Sequence, residues 1–381
     1  MSLRRPIKLL RIAAVGNDRR GGMSRTMHLT GDYLAEEGFE VRYLFWDAFR
    51  WRMHRGLMRF TVPWESGVRM RQAIREWGGC DLVEVHEPLS IGCTVARSLE
   101  CGTRVIGFSY GVELRSRTAT ENYRASHGIP SPLKGRITGW LQGKVSLAGL
   151  KRCDHVVCSN SEDIHYLQSH GMPADKLTRH FSGVDDSLLV RAEGSPRPNP
   201  QHVLFFGAWI DRKGTAEIVK SITEVLRSRP GTHFTAAGTQ IPDEEVLGAF
   251  PEDVRPRVTV LRRIESEEEL ARVYSSHGIL LLPSYYEGQP LVMIEAAAFG
   301  LAILTTPVCG MLDFVREGEN GLFAPVGDAA AFTRALLELI DHPERVTKMG
   351  EAARITARSH TWRASAQNLA QAYRRVLESR L

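Results

Sequence analysis

Residues 278–298 read GILLLPSYYEGQPLVMIEAAA: an apolar run of five, a polar loop, and a proline after which apolar residues continue at helical spacing. A short apolar run bounded by turn formers reads as a buried strand, and Pro290 suits the first turn of a helix near 290–299. A second apolar run follows at 301–304, so the unit is strand, helix, strand, the connection that parallel strands require. Upstream, the same alternation gives strands at 202–206 (HVLFF), 232–237 and 257–261, with a helix near 214–227. Helical spacing returns at 328–340, 343–356 and 361–379.

The first half repeats the plan. KLLRIAAV at 8–15 is an apolar run ending at Gly16, and 24–37 has helical spacing that Gly38 stops. Further runs lie at 39–45, 81–85, 104–108 and 154–158, separated by lengths that crossover helices fill. Between the halves, RAEGSPRPNPQ at 191–201 has the composition of a linker. The expected fold is α/β: two Rossmann-like, doubly wound parallel-sheet domains. The expected domains are 1–190, a linker 191–201, a second domain 202–360, and a helix at 361–381 packing back on the first.

At 381 residues, 43% hydrophobic and 24% charged, the chain can bury two cores and holds no low-complexity tract. Lys8 and Arg11 interrupt the first apolar run, so it reads as a strand and not a signal segment. No stretch reaches the ~18 apolar residues of a membrane span. The six cysteines are scattered without metal-ligand spacing, which fits a reduced, cytoplasmic setting and no metal site.

Charge is uneven. Residues 1–190 carry 27 Lys and Arg against 20 Asp and Glu, and the remainder 22 against 24. Seven arginines between Arg50 and Arg75 are interleaved with Trp51, Met53, Leu57, Met58, Phe60 and Trp64. That stretch has two readings: a patch for an anionic membrane surface or acidic acceptor, or a solvated helical face. Nucleic acid is not an expected partner.

Ligands in open α/β sheets bind outside the carboxyl ends of strands, which ranks the residues found there. Gly21 and Gly22 follow the first strand and precede a helix, either as an anion cradle or as a tight connection. Gly207 ends strand 202–206, and Arg212 and Lys213 stand just before the next helix, two cations suited to a diphosphate. In 284–298, Glu287 sits in the loop and Glu295 farther along the same edge, where carboxylates accept hydrogen bonds from sugar hydroxyls. Gly288, Gln289, Leu291 and Val292 surround them, and the first helix amides there are free to meet a phosphate or sugar oxygen. His86 ends strand 81–85 and is a candidate to touch substrate; a packed histidine is the alternative. The chain has no D-x-D, the common way to hold a divalent ion on a diphosphate, so cations and helix ends are expected to neutralise the leaving group.

These residues, in this order and spacing, resemble the retaining glycosyltransferase family four, with its GT-B fold and Glu-x7-Glu mark, here Glu287 and Glu295. The likeness covers nearly the whole chain: GGMSRTMHLTGDYLAEEGFEV, DLVEVHEP, CDHVVCSNSEDIHYL, FSGVDDSLL, FFGAWIDRKG, EGQPLVMIEA and TTPVCGMLDFVREGENGLFAPVGD. It implies a nucleotide-sugar donor as substrate, no cofactor, and a glycan, lipid-linked or small-molecule acceptor. It implies that Gly22 lies against the donor phosphates, Lys213 binds the diphosphate, Glu287 contacts the sugar and Glu295 holds the ribose. It also implies a front-face, configuration-retaining transfer in the cleft between the domains. Two positions depart from the family. Ala208 stands where an arginine is common, with Arg212 a candidate to supply the charge, and Tyr110 stands where a histidine is frequent. Tyr110 and Glu113 fall on the acceptor side, and 46–75 and 114–150 are expected to be the acceptor-recognising loops. A GT-B sugar-nucleotide epimerase and a catalytically impaired nucleotide-sugar-binding protein are the alternatives.

Overall fold

The computed structural model describes residues 5–19, 22–49, 55–97, 102–195 and 199–379, without the side chains of 55–57 and 59. Gly21 and residues 50–54 therefore lie outside the described residues, with part of the proline-rich stretch. Two compact units divide the chain: one of 1–118, 131–181 and 362–381, the other of 119–130 and 182–361.

In the first unit, β1 (Ile7–Ile12), α1 (Gly22–Glu36), β2 (Phe39–Leu44), α2 (Arg55–Glu76), β3 (Leu82–His86) and α3 (Ser90–Arg97) follow in order. Then come β4 (Arg104–Ser109), α4 (Glu113–Ser126), whose residues from 119 on belong to the second unit, α5 (Leu133–Arg152), β5 (His155–Cys158), α6 (Ser161–Ser169) and β6 (Leu177–Arg179). The sheet is parallel throughout, in the order β2-β1-β3-β4-β5-β6. Strand periodicity of two sorts its core. Leu10, Val83, Val105 and Val156 face one side, while Leu9, Leu82, Ile106 and Val157 face the other. The stretches 46–75 and 114–150, expected as recognition loops, are corrected to mainly helix: α2, α4 and α5.

The second unit opens with α7 (Asp186–Glu193), β7 (His202–Phe206), α8 (Thr215–Ser228), β8 (His233–Ala237), α9 (Asp243–Gly248), β9 (Val258–Leu261) and α10 (Glu267–Ser275). It continues with β10 (Ile279–Leu282), α11 (Leu291–Ala298), β11 (Ala302–Thr305), α12 (Gly310–Phe314) and β12 (Gly321–Phe323). α13 (Ala329–Asp341), α14 (Pro343–Arg358) and α15 (Trp362–Glu378) close the chain. Its sheet is also parallel, β12-β11-β10-β7-β8-β9. β10 is wholly buried, as a strand covered on both faces must be.

The units part at Phe181, ahead of the proline-rich stretch. The reason is α7, whose Leu188 and Ala192 join the second unit's core and whose Arg191 pairs with Glu268 at 2.6 Å. α15 belongs to the first unit, where Leu369, Ala370 and Tyr373 cover the Leu9 and Ile106 face of the sheet. Among the described residues no helix is long and apolar enough to cross a membrane, and Cys80, Cys93, Cys153, Cys158 and Cys309 form no disulfide.

One ionic group ties that face together. Arg11 on β1 is fully buried, with its guanidinium 2.7 Å from Glu84 on β3 and 2.8 Å from the Thr30 hydroxyl on α1. The Tyr373 hydroxyl donates to the other oxygen of Glu84. Burial alone would raise the Glu84 pKa, but Arg11, His86 and Tyr373 bring it down from 4.5 to about 2. A carboxyl so depressed stabilises the fold fully above its unfolded pKa and loses that contribution as pH falls through the folded value. Removing one partner leaves the other charge buried and unpaired, so Arg11→Met should cost about 3–5 kcal/mol in denaturant unfolding at pH 7. The difference from the parent should shrink between pH 4.5 and pH 2; a constant difference across that range would contradict the pairing.

Candidate active site

The carboxyl ends of β7 and β10 bring together the cations and the carboxylate that the sequence separates by more than seventy positions. After β7 the chain passes Gly207, makes a short 3-10 turn over Asp211–Lys213 and enters α8. Gly214, between turn and helix, has φ of +72°, and a Cβ there would lie 2.2 Å from the Pro283 carbonyl oxygen. Only glycine permits that approach, which presses the turn against the end of β10. Tyr285 N–H donates to the Arg212 carbonyl at 2.8 Å, a second backbone tie.

Lys213 is buried and its Nζ pairs with Glu287 Oε1. Arg212 Nη1 lies 3.5 Å from Glu287 Oε2 and donates to the Tyr286 carbonyl at 2.9 Å. Arg212 thus stands beside Lys213 although Ala208 has no charge to offer. The Ser284 hydroxyl donates to Glu287 at 3.2 Å. Burial opposes the charged form of Glu287, but Lys213, Arg212 and Ser284 outweigh it and hold the carboxyl below its ordinary pKa. Two cations against one carboxylate leave a net positive charge at a strand end, which suits an anion.

α11 completes the edge. Pro290 is its N-cap, one residue earlier than the first-turn position expected of it. The amides of Leu291 and Val292 have no carbonyl a turn earlier to bond, as at any helix start, and point outward from the N-terminus. Gln289 uses its side-chain oxygen to accept from Ser182 N–H, so its side chain is structural, while the Gly288 carbonyl abuts Gly310 at the start of α12. Glu295 is buried and accepts a 2.8 Å hydrogen bond from Tyr274.

Sequence reasoning missed the brace behind Lys213. Residues 119–130 come from the first half of the chain but belong to the second unit. Arg124 donates to Asp211 at 2.8 Å, immediately before Arg212. The Tyr123 oxygen accepts from Ala216 N–H at 3.3 Å and lies 3.2 Å from the Thr215 hydroxyl, immediately after Gly214. His127 and the Tyr285 hydroxyl both reach Glu217 Oε1, at 3.0 and 2.9 Å. The turn is held on both sides. No local pattern in NYRASH announces these pairings.

In the first unit, Gly22 opens α1 and is exposed. Tyr110 packs on His86, ring centroids 5.4 Å apart, and Glu113 pairs with Arg117 at 2.6 Å. His86 requires a correction: it is fully buried, stacked on Phe108 as well, with Nε2 2.6 Å from Glu84. Burial lowers its pKa despite Glu84, and its place in the core fits the packed histidine that was the alternative to a substrate contact. The neighbouring Glu87 lies at the strand's carboxyl end instead. It accepts from the Ser146 hydroxyl at 2.6 Å and has no cation among those hydrogen-bond partners, and burial raises its pKa from 4.5 to about 7.

Two stretches of the chain match two family models in turn: Glycosyltransferase Family 4 over residues 20–188 and Glycosyl transferases group 1 over residues 200–342. The chain is 29% identical over 246 residues to the D-inositol 3-phosphate glycosyltransferase of Nocardia farcinica, covering 60% of this chain and 54% of that protein. It thus spans about half the length of that relative. Its fold is similar to that of sucrose-phosphate synthase from Thermosynechococcus elongatus, with a TM-score of 0.76 at 20% identity, over 98% of this chain and 100% of that one. It is also similar to Anabaena HepE in complex with UDP and glucose, with a TM-score of 0.69 at 12% identity, over 96% and 98% of the two chains.

The raised pKa of Glu87 fixes the sign of a pH effect. Between pH 4.5 and 7 the folded chain holds a proton that the unfolded chain releases, so this group costs stability increasingly as pH rises. Glu87→Gln should therefore raise the melting temperature at pH 8, by an amount worth up to about 3 kcal/mol, and change it little at pH 4.5. A variant less stable than the parent at pH 8 would show that the carboxylate is favoured there.

Proposed function

We propose that this chain, which is of the glycosyltransferase family 4 and group 1 type, transfers a sugar from a nucleotide-sugar donor held on its second unit. The observation that carries this reading is the fixed, net-positive group of Lys213, Arg212 and Glu287 beside the free amides of α11. It has the charge and the rigidity to receive a diphosphate. Lys213 and Arg212 would take the phosphate oxygens, and a phosphate arriving there shares Lys213 with Glu287. Glu287 would then orient the sugar through its hydroxyls. Glu295, oriented by Tyr274, would take the ribose, as the resemblance implies.

In the reaction the bond between the anomeric carbon and the phosphate oxygen breaks, and its electron pair leaves with the nucleoside diphosphate. The acceptor oxygen bonds to the same face of the anomeric carbon, and its proton passes to the departing phosphate oxygen, so configuration is retained. No protein nucleophile takes part. Preorganised cations lower the barrier by meeting charge that grows on the leaving group.

A calorimetric screen of UDP-, GDP-, dTDP- and ADP-sugars tests the reading, with UDP first because HepE, of similar fold, holds it. Binding is expected for one base, followed by transfer to an added acceptor; failure of all four to bind would sink the proposal. Donor binding and transfer should persist in EDTA, since the chain has no D-x-D and two cations take the ion's place. Activity that needs manganese or magnesium would overturn that part. Lys213→Ala should lower kcat about 10²-fold at saturating donor. A thermal melt of the same variant separates this from unfolding, because Glu287 keeps Arg212 as a partner.

A further inference from the structure

The first half of α5 is turned inside out relative to an ordinary surface helix. The inward face of α5 is small at Gly139, Gly143, Ser146 and Gly149, and only in the C-terminal half do two large residues, Leu147 and Leu150, join them in the core. A Cβ at Gly139 would lie 2.6 Å from Arg117, one at Gly143 2.9 Å from Leu114, and one at Gly149 2.5 Å from the backbone of Ile91. The helix therefore lies close against α3 and α4 through its glycines. The bulky apolar residues of its first half point the other way: Leu133, Ile137, Trp140 and Leu141 are 69%, 57%, 57% and 45% exposed. At roughly 100° per residue these four fall within one arc of about a third of the helix circumference, opposite the glycines. Scattered exposed apolar residues need no explanation, but a contiguous stripe of a tryptophan, an isoleucine and two leucines does.

Charge says what covers the stripe. α5 reads LKGRITGWLQGKVSLAGLKR, with five Lys and Arg and no Asp or Glu. By the same helical arithmetic, exposed Lys134 and Arg136 flank the stripe on opposite sides. Exposed Lys144 continues it, with its ammonium 5.6 Å from the Trp140 ring. Apolar side chains on one face, a tryptophan among them and cations along both edges are what a helix lying in the headgroup region of an anionic bilayer requires.

We propose that the outer face of α5 docks the protein on an anionic membrane surface, with Ile137, Trp140 and Leu141 entering the headgroup boundary and Lys134, Arg136 and Lys144 meeting lipid phosphates. This does not rest on the transferase reading. Nor does it use the Arg50–Arg75 stretch, whose first residues lie outside the described ones and whose Arg69 is paired with Glu65. Each cation close to such a surface strengthens binding roughly five-fold and loses that effect within a Debye length as salt rises.

Co-sedimentation of the full chain with vesicles of phosphatidylcholine, alone or mixed with phosphatidylglycerol, tests it. Binding to the mixed vesicles in low salt, reversed by high salt and absent from phosphatidylcholine alone, is expected. Ile137→Ser with Trp140→Ser should weaken it at least ten-fold, and Lys134→Ser with Arg136→Ser to a similar degree. Circular dichroism should show both variants folded, because the altered side chains face solvent. Unchanged binding by the folded variants, or loss only on changing Arg52, Arg55 and Arg59, would overturn the assignment to α5. So would a dimer in light scattering that the Ile137 and Trp140 changes abolish, since a second copy would then cover the stripe.

Discussion

Lys213 and Glu287 are buried together, and each lowers the cost of burying the other. An ammonium or carboxylate taken out of water alone costs several kcal/mol, and the mutual attraction of the two, with Arg212 and Ser284 added, offsets that cost. The backbone around them is arranged to keep the pair in register. Gly214 is pressed on Pro283, Tyr285 is tied to Arg212, and Arg124 and Tyr123 hold the turn before and after the cation. On the proposed function, a charge held this firmly would meet a phosphate without further ordering, which is where electrostatic catalysis gains most.

Two buried glutamates and a half-buried one show how partners and not burial alone set the charge state. Glu84 and Glu287 both lie deep, yet each faces an arginine or lysine and is held ionised. Glu87 lies three positions from Glu84, accepts from a hydroxyl, and is pushed toward neutrality near pH 7. A carboxyl that can be either donor or acceptor at neutral pH stands at the carboxyl end of β3, whereas His86 beside it is sealed in the core.

Much of this was legible in residue order. Apolar runs bounded by glycine and proline mark ten of the twelve strands, because a strand covered on both faces must be apolar throughout. β6 and β12 escaped, being edge strands of three residues, too short to show a period. The loop-borne Glu287 and the Arg212–Lys213 pair were visible from their place after strands. What could not be read is what the fold brings from far away. His86 sits at a strand end, as a substrate-facing residue would, but Phe108 and Tyr110 of the next strand and its loop cover it. The part played by Tyr123 and Arg124 depends on a segment joining the other unit. Composition near 191–201 marks a turn-rich connection without showing that α7, ahead of it, is already part of the second unit.

The distribution of the chain between the units bears on its synthesis. The first unit's sheet is complete once β6 has left the ribosome, yet the face formed by Leu9, Leu82, Ile106 and Val157 is closed by α15. Residues 182–361 must be made in between. The half translated first therefore finishes folding after the half translated second, and through that interval its bare apolar face is a natural client surface for a chaperone.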